Sequence, residues 1–249
     1  MSALRRVSLS LIVLTCAAWL LEGGIGRALQ QQGPRPPGTH QDNTPGTEWI
    51  RRLERPERIP GLRIPEVIAC LRLQPGDVVA DIGAGTGAYS IPFAQAVAPS
   101  GKVLAVDIWQ ELLDYMQQKA SAACVSNLRT TLARLDDPLL PKGQVDVVFF
   151  HDVFHNTNDR EAYLRVLMPA LKPGGRIAIV EQEFDDPIAK KWDLPEDRIT
   201  RDQVRTWMGR VGMRLAAEFD IFQGTNNPSG TGMPARWFVV YEREPTAAK

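Results

Sequence analysis

A strand-like segment that ends in an acid and runs into three alternating glycines constrains the fold of this chain more than any other feature. The segment is VVADIGAGTGAYS, Val78–Ser90. Gly83, Gly85 and Gly87 remove side chains where the chain must turn from a strand into a helix, and they let a ligand lie against the backbone. A tight turn between a buried strand and a helix N-terminus is where α/β folds bind nucleotide-like ligands.

The spacing of the three glycines argues against a dinucleotide site. Dinucleotide-binding turns follow the pattern G-x-G-x-x-G, in which the last glycine lets the helix pack against the strand. Here the pattern is G-x-G-x-G, and Asp81 precedes it at the end of the strand. A carboxylate at that position would repel a pyrophosphate and would suit an ammonium group. The alternative interpretation of Asp81 is a turn residue or the N-cap of the helix.

A second acid follows at the spacing that Rossmann-like folds use. The segment KVLAVDIWQELLDYM predicts a strand over Lys102–Val106, then Asp107, then a helix. Asp107 lies about 20 residues past the glycine loop, where such folds place the acid that accepts hydrogen bonds from ribose hydroxyls. Ile108 and Trp109 come next and offer apolar surface to an adenine ring.

Five segments, in this order along the chain, resemble the motifs of class I S-adenosylmethionine-dependent methyltransferases. They are DIGAGTG, AVDIWQELL, LDDP, VDVVFFHDVFHN and LKPGGRIAIVEQE, and the resemblance extends from about Pro65 to Tyr241. The chain is similar above all to the small-molecule branch of the family, typified by the methyltransferases of quinone biosynthesis. The resemblance implies an enzyme that uses S-adenosylmethionine to methylate a small molecule.

The resemblance also implies which residues hold the cofactor. Asp81 is expected to meet the methionine ammonium group, and Asp107 is expected to accept from both ribose hydroxyls. Asp136, in the LDDP segment, is expected to face the adenine amine; its other interpretation is a solvated turn acid, because its neighbours also suit a turn. The full predicted cofactor set is Asp81, Gly83, Gly85, Gly87, Asp107, Ile108 and Asp136.

The order of the remaining segments predicts an α/β fold. Strands that alternate with helices imply a parallel sheet, and VDVVFF is almost wholly apolar, as a strand covered on both faces should be. Two closing strands, Arg214–Phe222 and Arg236–Glu242, have no helix between them and imply an antiparallel hairpin. We therefore predict a Rossmann-like, doubly wound fold, with a mostly parallel seven-stranded sheet that ends in an antiparallel hairpin, as in the resembled family.

The segment HDVFH follows the predicted fourth strand, at the sheet edge where ligands bind in such folds. Class I methyltransferases commonly have a Val-Asp-x-x-His-His-like segment at this position. The resemblance therefore makes His155 and Asp152 the candidate catalytic residues. Asn156 replaces the second histidine of the motif. His155 is alternatively a hydrogen-bonded structural histidine. His151, Asp152 and His155 also suggest a metal cluster, but spacing alone is a weak metal signal, and no metal is predicted.

Charged residues outside these motifs have two interpretations each. Glu48–Arg58, EWIRRLERPER, contains four arginines and Trp49. This segment either caps the active site and grips an anionic substrate or forms a solvated surface helix. Glu181 and Glu183 follow the predicted fifth strand and point to the same edge, where they either contact substrate or are solvated.

The N-terminal segment is predicted to lie outside the fold. Arg5 and Arg6 precede a short apolar run, Val7–Leu21, and Gly26-Arg27-Ala28 forms a suitable cleavage site. This is the anatomy of a signal peptide. We predict a signal peptide over residues 1–28, or an uncleaved membrane anchor, and therefore an exported protein, periplasmic or secreted.

The rest of the chain divides into a linker and one domain. Residues 29–47 are rich in Gln, Pro and Gly and predict a disordered linker, and residues 48–245 form the predicted methyltransferase domain. The composition of the chain is ordinary, with 44% hydrophobic and 23% charged residues. Because the formal net charge is +0, no nucleic-acid partner is predicted. Contact with a membrane is expected only through an uncleaved N-terminal segment.

The cysteines indicate neither a zinc site nor thiolate chemistry. Besides Cys16 the chain has only Cys70 and Cys124, and it has no Cys-x-x-Cys. Both residues are predicted to lie in helices as small core residues.

Three functions compete on the sequence alone. The first is a methyltransferase that acts on a small molecule. The second is an NAD-dependent oxidoreductase, which the glycine spacing and the closing hairpin disfavour. The third is an exported binding protein that keeps the fold and has lost catalysis, because S-adenosylmethionine is made inside cells and should be scarce outside them.

Overall fold

The computed structural model describes residues 46–185, 198–222 and 235–243. Seven strands form one sheet in the order β3-β2-β1-β4-β5-β7-β6. The strands are β1 (Val78–Ile82), β2 (Lys102–Asp107), β3 (Leu128–Leu132), β4 (Val145–His151), β5 (Leu171–Gln182), β6 (Met213–Phe219) and β7 (Arg236–Arg243).

Six α-helices accompany the sheet within these three ranges. No helix among the described residues is both long and apolar enough to cross a bilayer. The predicted signal peptide, residues 1–28, lies outside the described residues, as does the predicted linker apart from its last two positions. The helices are α1 (Gly46–Leu53), α2 (Ile64–Leu71), α3 (Ser90–Ala96), α4 (Gln110–Ala122), α5 (Arg160–Leu167) and α6 (Arg201–Arg210).

The sheet has the predicted topology. β1 pairs in parallel with β2 and β4, β2 pairs in parallel with β3, and β4 pairs in parallel with β5. β7 pairs antiparallel with both β5 and β6. The last strand therefore enters the sheet between β5 and β6, which confirms a Rossmann-like, mostly parallel sheet that ends in an antiparallel hairpin.

β4 shows why the centre of the sheet is so apolar. Its side chains alternate between two buried layers, because helices cover both faces of the sheet. Val148 and Phe150 pack in the layer that contains Leu164 of α5, and Phe149 packs in the layer that contains Phe93 of α3. Burial of a side chain of this size contributes about 1.5–3 kcal/mol to folding. β4 therefore anchors the edge of the sheet that carries the candidate site.

Two strands differ by three or more residues from the bounds that the sequence predicts, which are Arg176–Val180 after a Pro-Gly-Gly turn for the fifth strand and Arg214–Phe222 for the sixth. β5 begins at Leu171, because the Pro-Gly-Gly segment does not precede the strand but lies within it. The register with β4 shifts there, since Leu171 pairs with Val145 and Arg176 pairs with Val147. β6 ends at Phe219 rather than three residues later.

Cys124 is not a core residue, and the sequence expectation for it was wrong. α4 ends at Ala122, and Cys124 takes a left-handed conformation (φ 55°) just beyond it, exposed to solvent. The amide of Val125 donates to the carbonyl of Ala120 over 2.9 Å, which is the bond of a Schellman C-cap. Cys70 lies in α2 and is half-buried.

Candidate functional site

The carboxyl ends of the central strands and the start of β7 meet at one edge of the sheet. A cavity of about 730 Å³ opens at this edge. Parallel α/β sheets bind their ligands here, beyond the carboxyl ends of the strands. In the order of the strands, the cavity is lined by Asp107 on β2, Asp81 on β1, His151 on β4, Gln182 on β5 and Arg236 on β7.

Asp107 is a buried carboxylate that binds the glycine loop. Its Oδ2 accepts from the amide of Gly85 over 2.8 Å, and its Oδ1 accepts from the amide of Trp109 over 3.0 Å. Burial raises the pKa of Asp107, and these backbone hydrogen bonds counteract the rise. Each carboxylate oxygen can accept a further hydrogen bond. Asp107 can therefore hold the loop and two ligand hydroxyls at the same time.

Asp81 lies deeper in the cavity and is 3% exposed. Its Oδ2 accepts from the Ser90 hydroxyl over 2.5 Å, whereas Tyr89 occupies the N-cap position of α3. Burial raises the pKa of Asp81 to about 7; the Ser90 hydrogen bond opposes this rise, and the charge of Asp107 adds to it. A cationic ligand that binds next to Asp81 would therefore stabilise the ionised form of this carboxylate.

The three glycines of the loop have different surroundings. Gly83, Gly85 and Gly87 all have positive φ, at 68°, 56° and 80°. A Cβ at Gly83 would overlap Val153, and a Cβ at Gly87 would come within 2.6 Å of Met116 in α4. At Gly85 the nearest described atom would be 3.1 Å away. Gly83 and Gly85 line the cavity, whereas Gly87 lies where α4 packs against the loop.

Asp136 lies on an exposed turn beside the cavity rather than in its wall. Its side chain is 83% exposed, and its Oδ1 is 3.4 Å from Nε of Arg134. The contact between Asp136 and an adenine amine stays a prediction. The wall at this end of the cavity includes Ile108, Trp109, Ala133, Arg134 and Leu135.

Asp152 is held in a buried ion pair that sequence reasoning missed. Arg236, which is 1% exposed, donates from Nε to Asp152 Oδ1 over 2.9 Å and from Nη2 to Oδ2 over 2.6 Å. Burial opposes ionisation of Asp152, but the charge and hydrogen bonds of Arg236 bring its pKa well below the usual value. The pair joins β7 to the segment after β4 and engages both carboxylate oxygens. A catalytic role for Asp152 stays a prediction.

His155 lines the cavity from the short 3-10 turn that follows β4. Its Nδ1 lies 2.8 Å from Glu181 Oε2, and the amides of His155 and Val153 both donate to Glu181 Oε1 over 3.1 Å. Glu181 is 1% exposed, so it is not solvated. A buried carboxylate thus orients the imidazole, which is the arrangement that a histidine base needs. The catalytic role of His155 stays a prediction.

His151 is the second histidine of the cavity. It is buried at the end of β4, and its ring centroid lies 4.9 Å from that of Tyr89. Its Nδ1 is 3.6 Å from Asp152 Oδ2, and its Nε2 has no hydrogen-bond partner among the described residues. Burial lowers the pKa of His151 to about 3; Asp152 opposes this shift, and the charges of Arg236 and Arg58 add to it. The ring is therefore neutral at pH 7.

The two histidines and Asp152 do not form the metal cluster that their spacing suggests. His151 ends a strand, while His155 lies in the turn beyond it, and each has its own carboxylate neighbour. Across residues 46–185, 198–222 and 235–243, no group of three or more His, Cys, Asp or Glu side chains is arranged to hold a metal ion.

The arginine-rich N-terminal segment forms one wall of the cavity. Glu54, just after α1, accepts from Lys119 Nζ over 2.7 Å and from the Tyr115 hydroxyl over 3.3 Å, and these bonds fix α1 to α4. Glu48 accepts from Arg51 Nε over 2.8 Å. The segment is therefore more than a solvated surface helix. Its cavity-lining residues are Glu48, Trp49, Arg51, Arg52, Leu53, Arg55 and Arg58.

Several buried polar atoms of the cavity wall have no partner within the described part of the chain. One is Thr86 Oγ1 in the glycine loop, and the other three are His151 Nε2, Asn156 Oδ1 and Gln182 Oε1. Buried polar groups are nearly always hydrogen-bonded, and an unsatisfied one costs about 1–3 kcal/mol. The last three belong to β4, β5 or the turn after β4, so this end of the cavity is built for a polar ligand or for bound water.

Residues 79–175 match a protein family described as a methyltransferase domain. The matched stretch contains the glycine loop, both buried acids and β4. This stretch of the chain therefore has the sequence of a methyltransferase domain, and its motifs are those of the class I S-adenosylmethionine-dependent methyltransferases. S-Adenosylmethionine is the cofactor of that class, and the topology of the sheet is the one expected for it.

Curated relatives of this methyltransferase domain match about half of the chain. Ubiquinone/menaquinone biosynthesis C-methyltransferase UbiE of Vibrio vulnificus is 30% identical over 129 residues, which are 51% of this chain and 50% of the relative. The protein of the same name from Francisella tularensis subsp. novicida is 32% identical over 124 residues, 49% of each chain. The chain therefore spans about half the length of the curated relatives it matches.

Solved structures with the same fold cover more of this chain. A SAM-dependent methyltransferase from Aquifex aeolicus superposes with a TM-score of 0.69 at 22% identity, covering 81% of this chain and all of that one. A geranyl diphosphate methyltransferase in complex with SAM superposes with a TM-score of 0.61 at 15% identity, over 82% of this chain and 93% of that one. These similarities establish the fold.

Sequence reasoning missed several residues of the site. Arg236 opens RWFVVY, an otherwise apolar strand, and an arginine at the buried start of such a strand is the signal that could have found it. Tyr89 packs beside His151, and its hydroxyl donates to the carbonyl of Leu62 over 2.5 Å. Gln182 lies opposite Arg236 across the β5–β7 pair.

Proposed function

We propose that this protein transfers a methyl group from S-adenosylmethionine to a small molecule. The observation that carries the proposal is the pair of buried acids at adjacent strand ends, with Asp107 bound to the Gly85 amide and Asp81 next to it in one cavity. A carboxylate accepts from hydroxyls and pairs with an ammonium group. A ligand that carries both a ribose and an ammonium group matches this pair.

The residues of the cavity fit S-adenosylmethionine. Asp107 would accept from the ribose hydroxyls, Asp81 would meet the ammonium group, and Ile108 with Trp109 would offer apolar surface to the adenine ring. When bound, S-adenosylmethionine supplies a methyl group on a positively charged sulfur, which is a strong electrophile. The task of the protein is therefore to position the acceptor, to exclude water and to take up a proton.

The acceptor end of the cavity, in this proposal, is the part formed by β4, β5 and β7. His155, oriented by Glu181, is the residue that we propose takes a proton from the acceptor. Asp152 and Arg236 form an ion pair that stabilises this end of the cavity. A cavity of about 730 Å³ suits a cofactor with a small acceptor. A formal net charge of +0 supports a small molecule rather than a nucleic acid.

Calorimetric titration of the purified protein with S-adenosylmethionine, S-adenosylhomocysteine and NAD tests the proposed function. We expect the first two ligands to bind and NAD not to bind, because Asp81 repels a pyrophosphate. Binding of NAD alone would favour the oxidoreductase instead. Binding of both sulfur ligands without transfer of an isotope-labelled methyl group to any acceptor in a metabolite extract would favour the binding protein that has lost catalysis.

We also propose that residues 1–28 direct export and are then removed. The support is the pair Arg5 and Arg6 ahead of the apolar run Val7–Leu21. Mass spectrometry of the protein produced in a bacterial host should find a new N-terminus near Leu29. An intact chain that begins at Met1 in the cytoplasmic fraction would contradict export. It would also remove the difficulty of supplying S-adenosylmethionine outside the cell.

A further inference from the structure

Arg58 is a cation in the cavity wall that forms no ion pair with a carboxylate in the described part of the chain. It is half-buried in the 3-10 segment Pro56–Leu62, which follows α1. Its Nη1 donates to the carbonyl of Leu53 over 3.3 Å, and no carboxylate of the described residues forms an ion pair with it. Burial lowers the pKa of Arg58, which is the direction expected for a cation whose charge is poorly compensated.

Several neighbours of Arg58 belong to the acceptor end of the cavity. Asp152, Arg236 and Tyr89 act on it electrostatically, and its own charge acts on His151. On its other side, Leu53 lies beside Gly85 of the glycine loop. Arg58 therefore lies between the glycine loop and the residues that follow β4, within reach of the acceptor end.

The acids near Arg58 already have other partners. Asp152 is bound by Arg236 at 2.6 Å, and Glu54 is bound by Lys119 at 2.7 Å. Glu181, the remaining acid at this end, accepts from two backbone amides and from an imidazole nitrogen. The charge of Arg58 is thus available to a ligand, since the carboxylates near it already bind other groups and an anion stabilises a partly desolvated cation.

We propose that the methyl acceptor carries an anionic group, such as a carboxylate, that pairs with Arg58. This inference rests on the proposed function and adds the class of acceptor. A guanidinium group binds a carboxylate through two parallel hydrogen bonds, which fixes its orientation as well as its position. His151 Nε2 and Gln182 Oε1, both buried and unpartnered within the described residues, bind polar groups of the same molecule. Phe150 lines the cavity and gives the acceptor an apolar contact.

A matched pair of small ligands tests the inference. Benzoate and benzamide have the same ring and differ in charge, and their affinities are measured by NMR titration of the protein saturated with S-adenosylhomocysteine. We expect benzoate to bind at least about tenfold more tightly than benzamide, the size of a charged hydrogen bond. In Arg58→Gln this preference should vanish, and in Arg58→Lys part of it should remain. Arg129→Gln is the control, because Arg129 is exposed on β3 and donates only to carbonyls.

Calorimetry of the same variants with S-adenosylhomocysteine separates the possible outcomes. Affinity for S-adenosylhomocysteine within threefold of wild type in Arg58→Gln, together with the lost benzoate preference, supports the proposal and shows that the variant folds. Equal affinity for benzoate and benzamide, or no benzoate binding at millimolar concentration, overturns it. Parallel loss of benzoate and S-adenosylhomocysteine in Arg58→Gln also overturns it, because Arg58 would then serve the carboxylate of the cofactor. A wild-type protein that binds no S-adenosylhomocysteine refutes the proposed function itself.

Discussion

The backbone amide of Gly85 donates to Asp107 Oδ2 over 2.8 Å, so the glycine loop and the acid at the end of β2 are bonded to each other. The second oxygen of Asp107 is held by the amide of Trp109 at the start of α4. Two strand-to-helix connections therefore converge on one carboxylate. The acid is oriented by the backbone before any ligand arrives, and this lowers the entropy that binding must overcome.

Substitution of Asp107 is expected to weaken cofactor binding strongly. Asp107→Ala removes the acceptor for the ribose hydroxyls and leaves two backbone amides unpaired, and each charged hydrogen bond contributes about 1.5–3 kcal/mol. We expect affinity for S-adenosylhomocysteine, measured by calorimetry, to fall by at least about tenfold. Asp107→Asn keeps one acceptor oxygen and should lose less.

Asp136→Ala is the matched test for the adenine end. The Asp136 side chain is exposed, so its removal should leave the fold intact. A loss of affinity in this variant would support the predicted contact with the adenine amine.

Unchanged affinity for S-adenosylhomocysteine in Asp107→Ala would show that the assignment of Asp107 is wrong.

Substitutions at the loop glycines are expected to affect ligand binding and stability to different extents, and Gly143, which lies outside the loop, serves as the reference. Gly143 has φ 65° with open space around a would-be Cβ, so Gly143→Ala measures the cost of the left-handed backbone alone, about 1–2 kcal/mol. Gly85→Ala should cost about the same and should also weaken S-adenosylhomocysteine binding. Gly87→Ala should destabilise by about 1–3 kcal/mol more, because its Cβ meets Met116. Urea unfolding and calorimetry measure the two effects, and equal stability losses in all three variants would refute this distinction.

The local half of the site was predictable from the sequence. Val78–Ile82 is a β-branched run that a parallel sheet requires, and the glycines after it have positive φ, which other residues rarely adopt. Asp81 and Asp107 follow from their positions at the ends of such runs. Each acid and the pattern that identifies it lie within one short stretch of sequence, so periodicity and turn chemistry are enough to find it.

The remaining residues of the site come together only through contacts between distant parts of the chain. Asp152 and Arg236 are 84 positions apart, and they meet only because β7 enters the sheet between β5 and β6. His155 and Glu181 are 26 positions apart and meet because β4 and β5 end at the same level. Neither pair shows in a local pattern. The sequence therefore predicts a catalytic Asp152 without its arginine partner, and it does not decide whether Glu181 contacts substrate or is solvated.

The ion pair between Arg236 and Asp152 predicts a large loss of stability when one partner is removed. Arg236→Met removes the partner that binds both oxygens of the largely buried Asp152 carboxylate, which costs about 3–5 kcal/mol. Arg165→Met is the control, because Arg165 forms an exposed pair with Glu161, and its loss should cost no more than about 1 kcal/mol. Urea unfolding measures both.

The double variant Arg236→Met with Asp152→Asn removes both charges of this pair. We expect it to be more stable than Arg236→Met alone, since no unpaired charge remains buried. If Arg236→Met were no more destabilised than Arg165→Met, the pair would contribute little to the fold.

Asp81 predicts a pH dependence of ligand binding. Burial raises its pKa to about 7 in the free protein, against the opposing hydrogen bond from Ser90. An ammonium group pairs only with the ionised carboxylate, so binding lowers this pKa and releases a proton near neutral pH. Affinity for S-adenosylhomocysteine should therefore fall as the pH falls below 7, by up to about tenfold per pH unit. Calorimetry at pH 6.5 in two buffers of different ionisation enthalpy measures the released proton.

Asp81→Asn separates this linkage from other titrations. The variant should bind S-adenosylhomocysteine weakly and release no proton at Asp81, whereas Asp202→Asn, at an exposed position in α6 away from this cavity, should behave as wild type. The raised pKa of Asp81 also means that the folded free protein binds more protons than the unfolded chain between about pH 4 and pH 7, so its stability declines as the pH rises through that interval. Asp81→Asn should consequently increase the free energy of unfolding at pH 8 while it lowers ligand affinity. A variant that is less stable than wild type at pH 8, or that releases the same proton on binding, would show that Asp81 is not the titrating group.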